Sequence, residues 1–259
     1  MAKKPTVLLT NDDGYRAPGL RALAAELREC ADVKIIAPSW ERSGAAQSLT
    51  LRQPILCHRI SENEWAIDGT PADCVIVALH KLLEDQPDIV ISGINHGANL
   101  GENVYYSGTV GAAREAVIHH VPALAVSLCS KRLNADFVPT ARLARNTAEL
   151  ILNEKLPEQI FLNINVPENW QGGVKFTRQS KKITRTVLRE GEDPRGVPYF
   201  WVSEQRMGRD MEIDAESDYA AIFAGEASIT PLHLDPTHTQ SLNHLSHWAA
   251  QLSNHSESR

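Results

Sequence analysis

Two consecutive carboxylates, Asp12 and Asp13, stand directly after the apolar run Val7-Leu8-Leu9, inside Thr10-Asn11-Asp12-Asp13-Gly14. Clustered carboxylates repel, and one of the two tends to keep its proton. A divalent cation removes that conflict, so the pair reads as the foot of a metal site. The plainer alternative is an Asp capping the helix after Ala17 while its neighbour faces solvent. Adjacent side chains on a strand point to opposite faces, so both serve one site only where the chain turns. Gly14 and Pro18-Gly19 supply such a turn.

Three further loops carry residue types that fit the same chemistry. Pro38 to Ser48 contains Arg42-Ser43-Gly44-Ala45-Ala46; the run Ile89-Val90-Ile91-Ser92 leads into Gly93-Ile94-Asn95-His96-Gly97-Ala98-Asn99-Leu100-Gly101; and Tyr106-Ser107-Gly108-Thr109-Val110-Gly111 opens a helix. Glycine-rich chain feeding a helix N-terminus is a potential anion site, because free N–H groups and the positive helix end point outward together. The competing account is that Ser107 merely caps the helix and the glycines make turns. The spacing is neither a P-loop nor a GxGxxG fingerprint. Asp12, Asp13, Ser43 and Asn95 offer only oxygen, a donor set that suits Mg²⁺ or Mn²⁺ better than zinc. For Ser43 and Asn95 the alternative is a loop residue bonded to its own backbone.

The elements that must position these loops follow from periodicity. Strands are expected at Val7–Leu9, Val33–Ala37, Asp88–Ser92, Ala123–Leu128 and Ile160–Val166. Helical faces appear at Leu20, Leu23, Ala24 and Leu27, and again at Val75, Ala78, Leu79 and Leu82. A third helix starts near Ser107 and turns Val110, Ala113 and Val117 toward the sheet; a fourth covers about Asn134 to Asn153. This alternation implies an α/β fold: a doubly wound, mostly parallel, Rossmann-like sheet covered on both faces. Leu49 to Ile67 breaks the rhythm and reads as a hairpin turning at Ser61-Glu62-Asn63. After Pro167 the composition shifts to turn formers and charge. Residues 1–167 therefore read as the core that carries the loops. Residues 168–259 read as a β-rich C-terminal arm, with strand-like pieces at Tyr199–Val202 and Ala227–Ile229. It ends in an amphipathic helix, about Gln240 to Leu252, and a polar tail, Ser253–Arg259.

A chain of 259 residues with net charge −6 lacks the basic balance of a general nucleic-acid surface. The four scattered cysteines show no CxxC spacing, which points away from a disulfide framework and toward a reducing cytoplasm. The apolar run after Met-Ala-Lys-Lys is too short for a signal peptide, and no segment reaches membrane-spanning length.

Five motifs then occur in order: Thr10-Asn11-Asp12-Asp13-Gly14 with Ala17-Pro18-Gly19; Ala37-Pro38 with Arg42-Ser43-Gly44; Gly69-Thr70-Pro71-Ala72-Asp73-Cys74; Ser92-Gly93-Ile94-Asn95 with Gly97 and Asn99-Leu100-Gly101; and Tyr106-Ser107-Gly108-Thr109-Val110. This series resembles the SurE survival-protein family of metal-dependent 5′/3′-nucleotidases. The likeness continues more thinly through Asp193-Pro194-Arg195-Gly196 and Ser228-Ile229-Thr230-Pro231-Leu232. The resemblance implies that Asp12, Asp13, Ser43 and Asn95 hold the divalent metal, and that Ser107, Gly108 and Thr109 contact phosphate. It also implies a homodimer or homotetramer with exchanged C-terminal parts. Glu216-Ser217-Asp218 departs from the more usual Gly-Thr-Asp, and the last twenty or so residues match little.

The expected activity is release of phosphate from nucleoside 5′-monophosphates, with 3′-monophosphates and short polyphosphate as further substrates. Water would attack with metal assistance, and Asp12 and Asp13 would be the catalytic carboxylates, Asp12 orienting that water or taking its proton. An aspartyl-phosphate phosphatase with Asp12 as nucleophile is one alternative; a nucleotide-binding regulator without turnover is another. Other residues have plainer readings. Thr70 caps a helix with Pro71 in its first turn, His96 either donates a proton or faces solvent, and Asp68 is near the site at best. His119-His120 suits a helix C-terminus, and His244 with His247 lacks a third ligand. Tyr105 or Tyr106 either stacks on a base or packs in the core.

Overall fold

Val7, Leu8 and Leu9 lie in strand β1 (Thr6–Thr10), buried on both faces as a strand inside a parallel sheet must be. The computed structural model describes residues 3–181, 184–206 and 213–254. After β1, helix α1 (Pro18–Leu27) leads to β2 (Asp32–Pro38) and the hairpin β3 (Cys57–Ser61) and β4 (Glu64–Ile67). Helix α2 (Pro71–Val77) follows and runs on into a π-helical turn, Ala78–Leu82. β5 (Ile89–His96), α3 (Gly108–Ile118), β6 (Ala123–Cys129), α4 (Val138–Glu154) and β7 (Ile160–Pro167) complete the alternating part. Beyond it come β8 (Val174–Phe176), β9 (Thr184–Glu192), β10 (Pro198–Arg206), α5 (Asp218–Phe223), β11 (Ala227–His233), α6 (Thr239–Leu245) and α7 (His247–Asn254).

The main sheet has nine strands in the order β3-β4-β2-β1-β5-β6-β7-β11-β8. β4, β2, β1, β5, β6 and β7 are mutually parallel; β3 runs antiparallel to β4 and β11 antiparallel to β7, while β8 lies parallel to β11. Alternation along the strands divides the core between the two faces. Leu9, Ile35, Ile91, Val126 and Ile164 meet α1 and α4 on one side. Leu8, Ile36, Val90, Ala125 and Phe161 meet α2 and α3 on the other. The doubly wound, mostly parallel fold expected from periodicity is the fold observed.

Four details differ from the sequence reading. Helix α4 starts at Val138, not Asn134, because Pro139 needs no N–H partner and fits a first turn. The hairpin is limited to Cys57–Ile67, and residues 49–56 form no ladder. The piece at Ala227–Ile229 lies in the main sheet rather than in the arm: Ile229 registers with Ile164 of β7. Thr177, Ser228 and Thr230 share a buried hydroxyl cluster there. The last helix is two, broken at Ser246, and Leu242, Leu245, Trp248 and Leu252 remain exposed. Of the polar tail, residues 255–259 lie outside the described residues. Strands β9 and β10 form a separate ribbon that carries Tyr199, Phe200, Trp201 and Val202 at its surface. Among the described residues no helix is long and apolar enough to cross a membrane.

Thr70 and Asp73 form the expected capping box on α2. Thr70 Oγ1 accepts the Asp73 N–H at 3.1 Å, and Asp73 accepts the Thr70 N–H at 2.8 Å. Asp73 also accepts the Thr50 hydroxyl at 2.6 Å, which pins the chain leading to the hairpin. Gly19 sets how closely α1 approaches the sheet: a Cβ there would lie 2.1 Å from the Ile94 carbonyl oxygen. Gly19→Ala should therefore push α1 off β5 and destabilise the protein by about 1–3 kcal/mol. Urea unfolding checks this, and an unchanged midpoint would remove Gly19 from that role.

Candidate active site

β1 lies between β2 and β5, so the chain leaves β1 toward one edge of the sheet and β5 toward the other. The loops after these strands diverge and open a crevice, which is where open α/β sheets take their ligands. Asp12 and Asp13 leave β1 at this point, and Asn95 ends β5 beside them. Asn11 Nδ2 donates to the Gly14 carbonyl at 3.0 Å, and Gly14 takes a positive φ of 96°. That turn sends the neighbouring carboxylates to different elements. Asp12 accepts the Thr109 N–H at 3.1 Å and the Thr109 hydroxyl, both from the first turn of α3. Asp13 accepts the His96 N–H of β5 at 3.0 Å.

The other loops are fastened to the same frame. Arg42 N–H donates to the Asp12 carbonyl at 2.7 Å, and Ala46 N–H to the Tyr106 carbonyl at 3.0 Å. Glycine permits the approach: a Cβ on Gly108 would come within 2.9 Å of Asp12 Cβ, and one on Gly111 within 2.4 Å of the Ala46 carbonyl oxygen. Ser43 donates to Glu41 at 2.8 Å. Asn95 Nδ2 donates to the Gly97 carbonyl at 2.8 Å, and its Oδ1 takes no hydrogen bond from the described residues. Ser107 caps α3 by accepting the Val110 N–H at 3.1 Å.

Asp12, Asp13, Ser43, Asn95 and Ser107 line a single cavity of about 590 Å³. Thr109 is fully buried behind Asp12, and Gly108 lies against it. The cavity wall includes Asp12, Asp13 and Glu41 but, among the described residues, no lysine or arginine. A phosphate entering this acidic crevice alone would be repelled, whereas hard oxygen donors at its base match the ligand preference of Mg²⁺ or Mn²⁺. Among the described residues no three His, Cys, Asp or Glu side chains group as a metal cluster, so the carboxylate share of a cation site here is limited to Asp12 and Asp13.

Burial raises the Asp13 carboxyl to about 6, with Asp12 and Glu41 adding to it and the His96 N–H opposing. Burial also raises Asp12, against hydrogen bonds from Thr109 and Gly108. Without a cation these carboxylates hold protons that the unfolded chain releases near pH ~3.9.

His96 lies on the cavity rim with its ring edge toward Phe137, centroids 5.7 Å apart. Asp68 stands outside this cavity, 3.4 Å from His58; the neighbouring Ser39 and His58 side chains hold its carboxyl below the usual range. His119 pairs with Glu115 at 3.2 Å at the end of α3, and His244 and His247 are exposed. Neither tyrosine is in the core: Tyr106 lines the cavity, and Tyr105 faces a different one. Sequence reasoning missed Glu41 and Phe137. Glu41, two residues before Ser43 in a loop leaving a strand end, carried a readable signal; Phe137 carried none.

The fold and crevice define a doubly wound α/β protein with an acidic, oxygen-lined site at its switch point, beside a helix N-terminus. Residues 7–186 match the family described as Survival protein SurE, and the chain belongs to that family. A relative from Geotalea daltonii named 5′-nucleotidase SurE is 43% identical, over 93% of this chain and 98% of its own. One of the same name from Legionella pneumophila (strain Lens) is 42% identical, over 93% and 95%. The crystal structure of the SurE protein from Aquifex aeolicus superposes with a TM-score of 0.83 at 38% identity, covering 95% of this chain and all of that one.

The raised carboxyls have a signed consequence. The folded protein binds these protons more tightly, so their contribution favours folding below about pH 4 and is lost as pH rises through about 6. Unfolding free energy of chelator-treated protein should fall over that window by on the order of 2 kcal/mol from Asp13. Asp13→Asn should flatten the fall, and added Mn²⁺ should cancel it. An equally steep fall in Asp13→Asn would mean that Asp13 is not the group responsible.

Proposed function

We propose that this chain is a divalent-cation-dependent 5′-nucleotidase acting in the cytoplasm, with Asp12, Asp13, Ser43 and Asn95 as cation ligands. The observation that carries the reading is the meeting of those four oxygen donors, from three loops, in one acidic cavity with the N-terminal cap of α3. The activity in the names of the relatives agrees with it. The four cysteines are free thiols, which suits a reducing compartment.

Phosphate monoesters are among the slowest species to hydrolyse unaided, so the site must lower the barrier greatly. A Mg²⁺ or Mn²⁺ ion supplies charge neutralisation and makes bound water more acidic. The chain supplies the rest. Ser107 and the Gly108 end of α3 hold the oxygens of the departing phosphate, while the Thr109 N–H and hydroxyl are committed to Asp12. Thr109 fixes the orientation of Asp12, so that its carboxylate orients the attacking water or takes its proton. Asp12 has one oxygen bonded to the Thr109 hydroxyl and the other to its N–H, which favours attack by water over attack by Asp12 itself. The substrate is a nucleoside 5′-monophosphate; 3′-monophosphates and short polyphosphate share the anionic end that α3 would bind.

We further propose a homodimer or homotetramer built through residues 168–259. The exposed aromatic face of the β9–β10 ribbon supports it, Trp201 being 69% exposed: apolar patches of this kind mark protein interfaces.

Asp13→Asn should lower Mn²⁺-dependent phosphate release from AMP by at least ~100-fold, more than loss of a residue that only supports a ligand, with the circular dichroism spectrum unchanged. Full activity in that variant would end the ligand assignment. Acid quenching during turnover should trap no phosphorylated Asp12, and AMP binding without phosphate release would favour a regulator. Trp201→Glu should lower the mass seen by light scattering; an unchanged mass would move the interface elsewhere.

A further inference from the structure

A second cavity, about 750 Å³, lies on the other side of the segment that carries the phosphate loop. Val104 and Tyr105 line it, while Tyr106 and Ser107 line the acidic crevice. Its charge is opposite. No carboxylate among the described residues lines it, although the chain as a whole carries −6; instead Arg114 and Arg178 do, beside His233, whose Nδ1 accepts the Asp235 N–H at 2.9 Å. Arg114 rises from α3 and is half-buried, its guanidinium 5.9 Å from the Phe161 ring centroid. Burial lowers its pKa, and among the described residues the Tyr105 phenol opposes that shift. It makes no ion pair among the described residues. Arg178 has an acidic neighbour, Asp214 at 3.7 Å, but remains largely exposed.

A half-buried guanidinium without a counter-ion is costly to keep unless something anionic joins it. Arginine matches the planar fork of a phosphate or carboxylate. The remaining wall is apolar, with Leu232, Leu234 and Pro236 on one side and the Tyr105 ring on the other. The volume falls within the usual range for small-molecule sites, roughly 300–1,000 Å³. Other polar groups there are already engaged: Thr177 Oγ1 with Ser228 and Thr230, and Gln179 Nε2 with the Gly101 carbonyl at 2.9 Å. The geometry points to a second binding site, in this cavity, for an organic phosphate whose anionic end meets Arg114 and Arg178 and whose flat apolar body lies against Tyr105 and the Leu-Pro wall. This site needs no cation and stands independently of the nucleotidase reading.

The test is calorimetric titration of the full chain in EDTA, where no dication is available, with AMP, adenosine and inorganic phosphate as probes. AMP should bind, and adenosine should bind at least tenfold more weakly for want of the anionic end. Inorganic phosphate should also bind more weakly, for want of the apolar body. Arg114→Gln should weaken AMP at least tenfold while leaving Mn²⁺-dependent phosphate release within about twofold of the parent protein. Arg114→Lys, which keeps the charge without the fork, should lie between the two and guards against a folding defect in the glutamine variant. Equal AMP affinity in Arg114→Gln and parent would overturn the site, as would no AMP binding by the parent in EDTA. Equal binding of adenosine and AMP would overturn the anionic requirement. A change in mass by light scattering in Arg114→Gln, with AMP binding unaffected, would assign the cavity to another copy of the chain and not to a small molecule.

Discussion

Two adjacent carboxylates, Asp12 buried and Asp13 half-buried, are the constraint around which the crevice is arranged. On a continuing strand Asp12 and Asp13 would face opposite sides of the sheet. The Asn11–Gly14 turn stops the strand instead, and each carboxylate is then taken by a different element: Asp12 by the first turn of α3 through Thr109, Asp13 by the His96 N–H of β5. The two acids thereby tie β1 to its neighbours while their remaining surface faces one cavity. Burial makes the arrangement costly when both are ionised, as the upward displacement of both carboxyls records. On the proposed reading a dication bound there would relieve that cost, which would make cation binding and the stability of the crevice one property.

Close backbone approach is the second requirement. Gly19 lets α1 sit against the Ile94 carbonyl, Gly108 lets α3 reach Asp12, and Gly111 lets the same helix touch the Ala46 carbonyl. At each position a methyl group would separate two elements that the crevice needs in contact. The loop carrying Ser43 has little regular structure of its own. Its place is fixed by Arg42 N–H on the Asp12 carbonyl and Ala46 N–H on the Tyr106 carbonyl. Loops on a rigid scaffold commonly carry function; here they are also bonded to one another.

Charge is distributed by cavity rather than by surface. The crevice at the switch point gathers Asp12, Asp13 and Glu41, and the cavity lined by Val104 and Tyr105 gathers Arg114 and Arg178. Helix α3 spans both, its N-terminal cap in the first and Arg114 in the second. The net charge of the chain therefore says little about either local field.

Whatever depends on neighbours a few residues away was legible along the chain. Period-2 and period-3.6 patterns located β1, β2, β5, β6 and β7 and the faces of α1 and α3, because burial on a regular element repeats at short range. Thr70 and Ser107 were legible as caps for the same reason. The motif series also singled out Asp12, Asp13, Ser43 and Asn95. The tertiary structure alone decided everything carried by long-range pairing. β11 joins β7 some sixty residues away and enters the sheet antiparallel, a placement that no local period encodes. Phe137 reaches the rim of the crevice from α4's N-terminal side, and the break at Ser246 divides a pattern that reads as one helix. That Asp12 and Asp13 separate toward α3 and β5 is of this kind too: residue types give the carboxylates their chemistry, but only the packed neighbours supply the N–H groups that tell them apart.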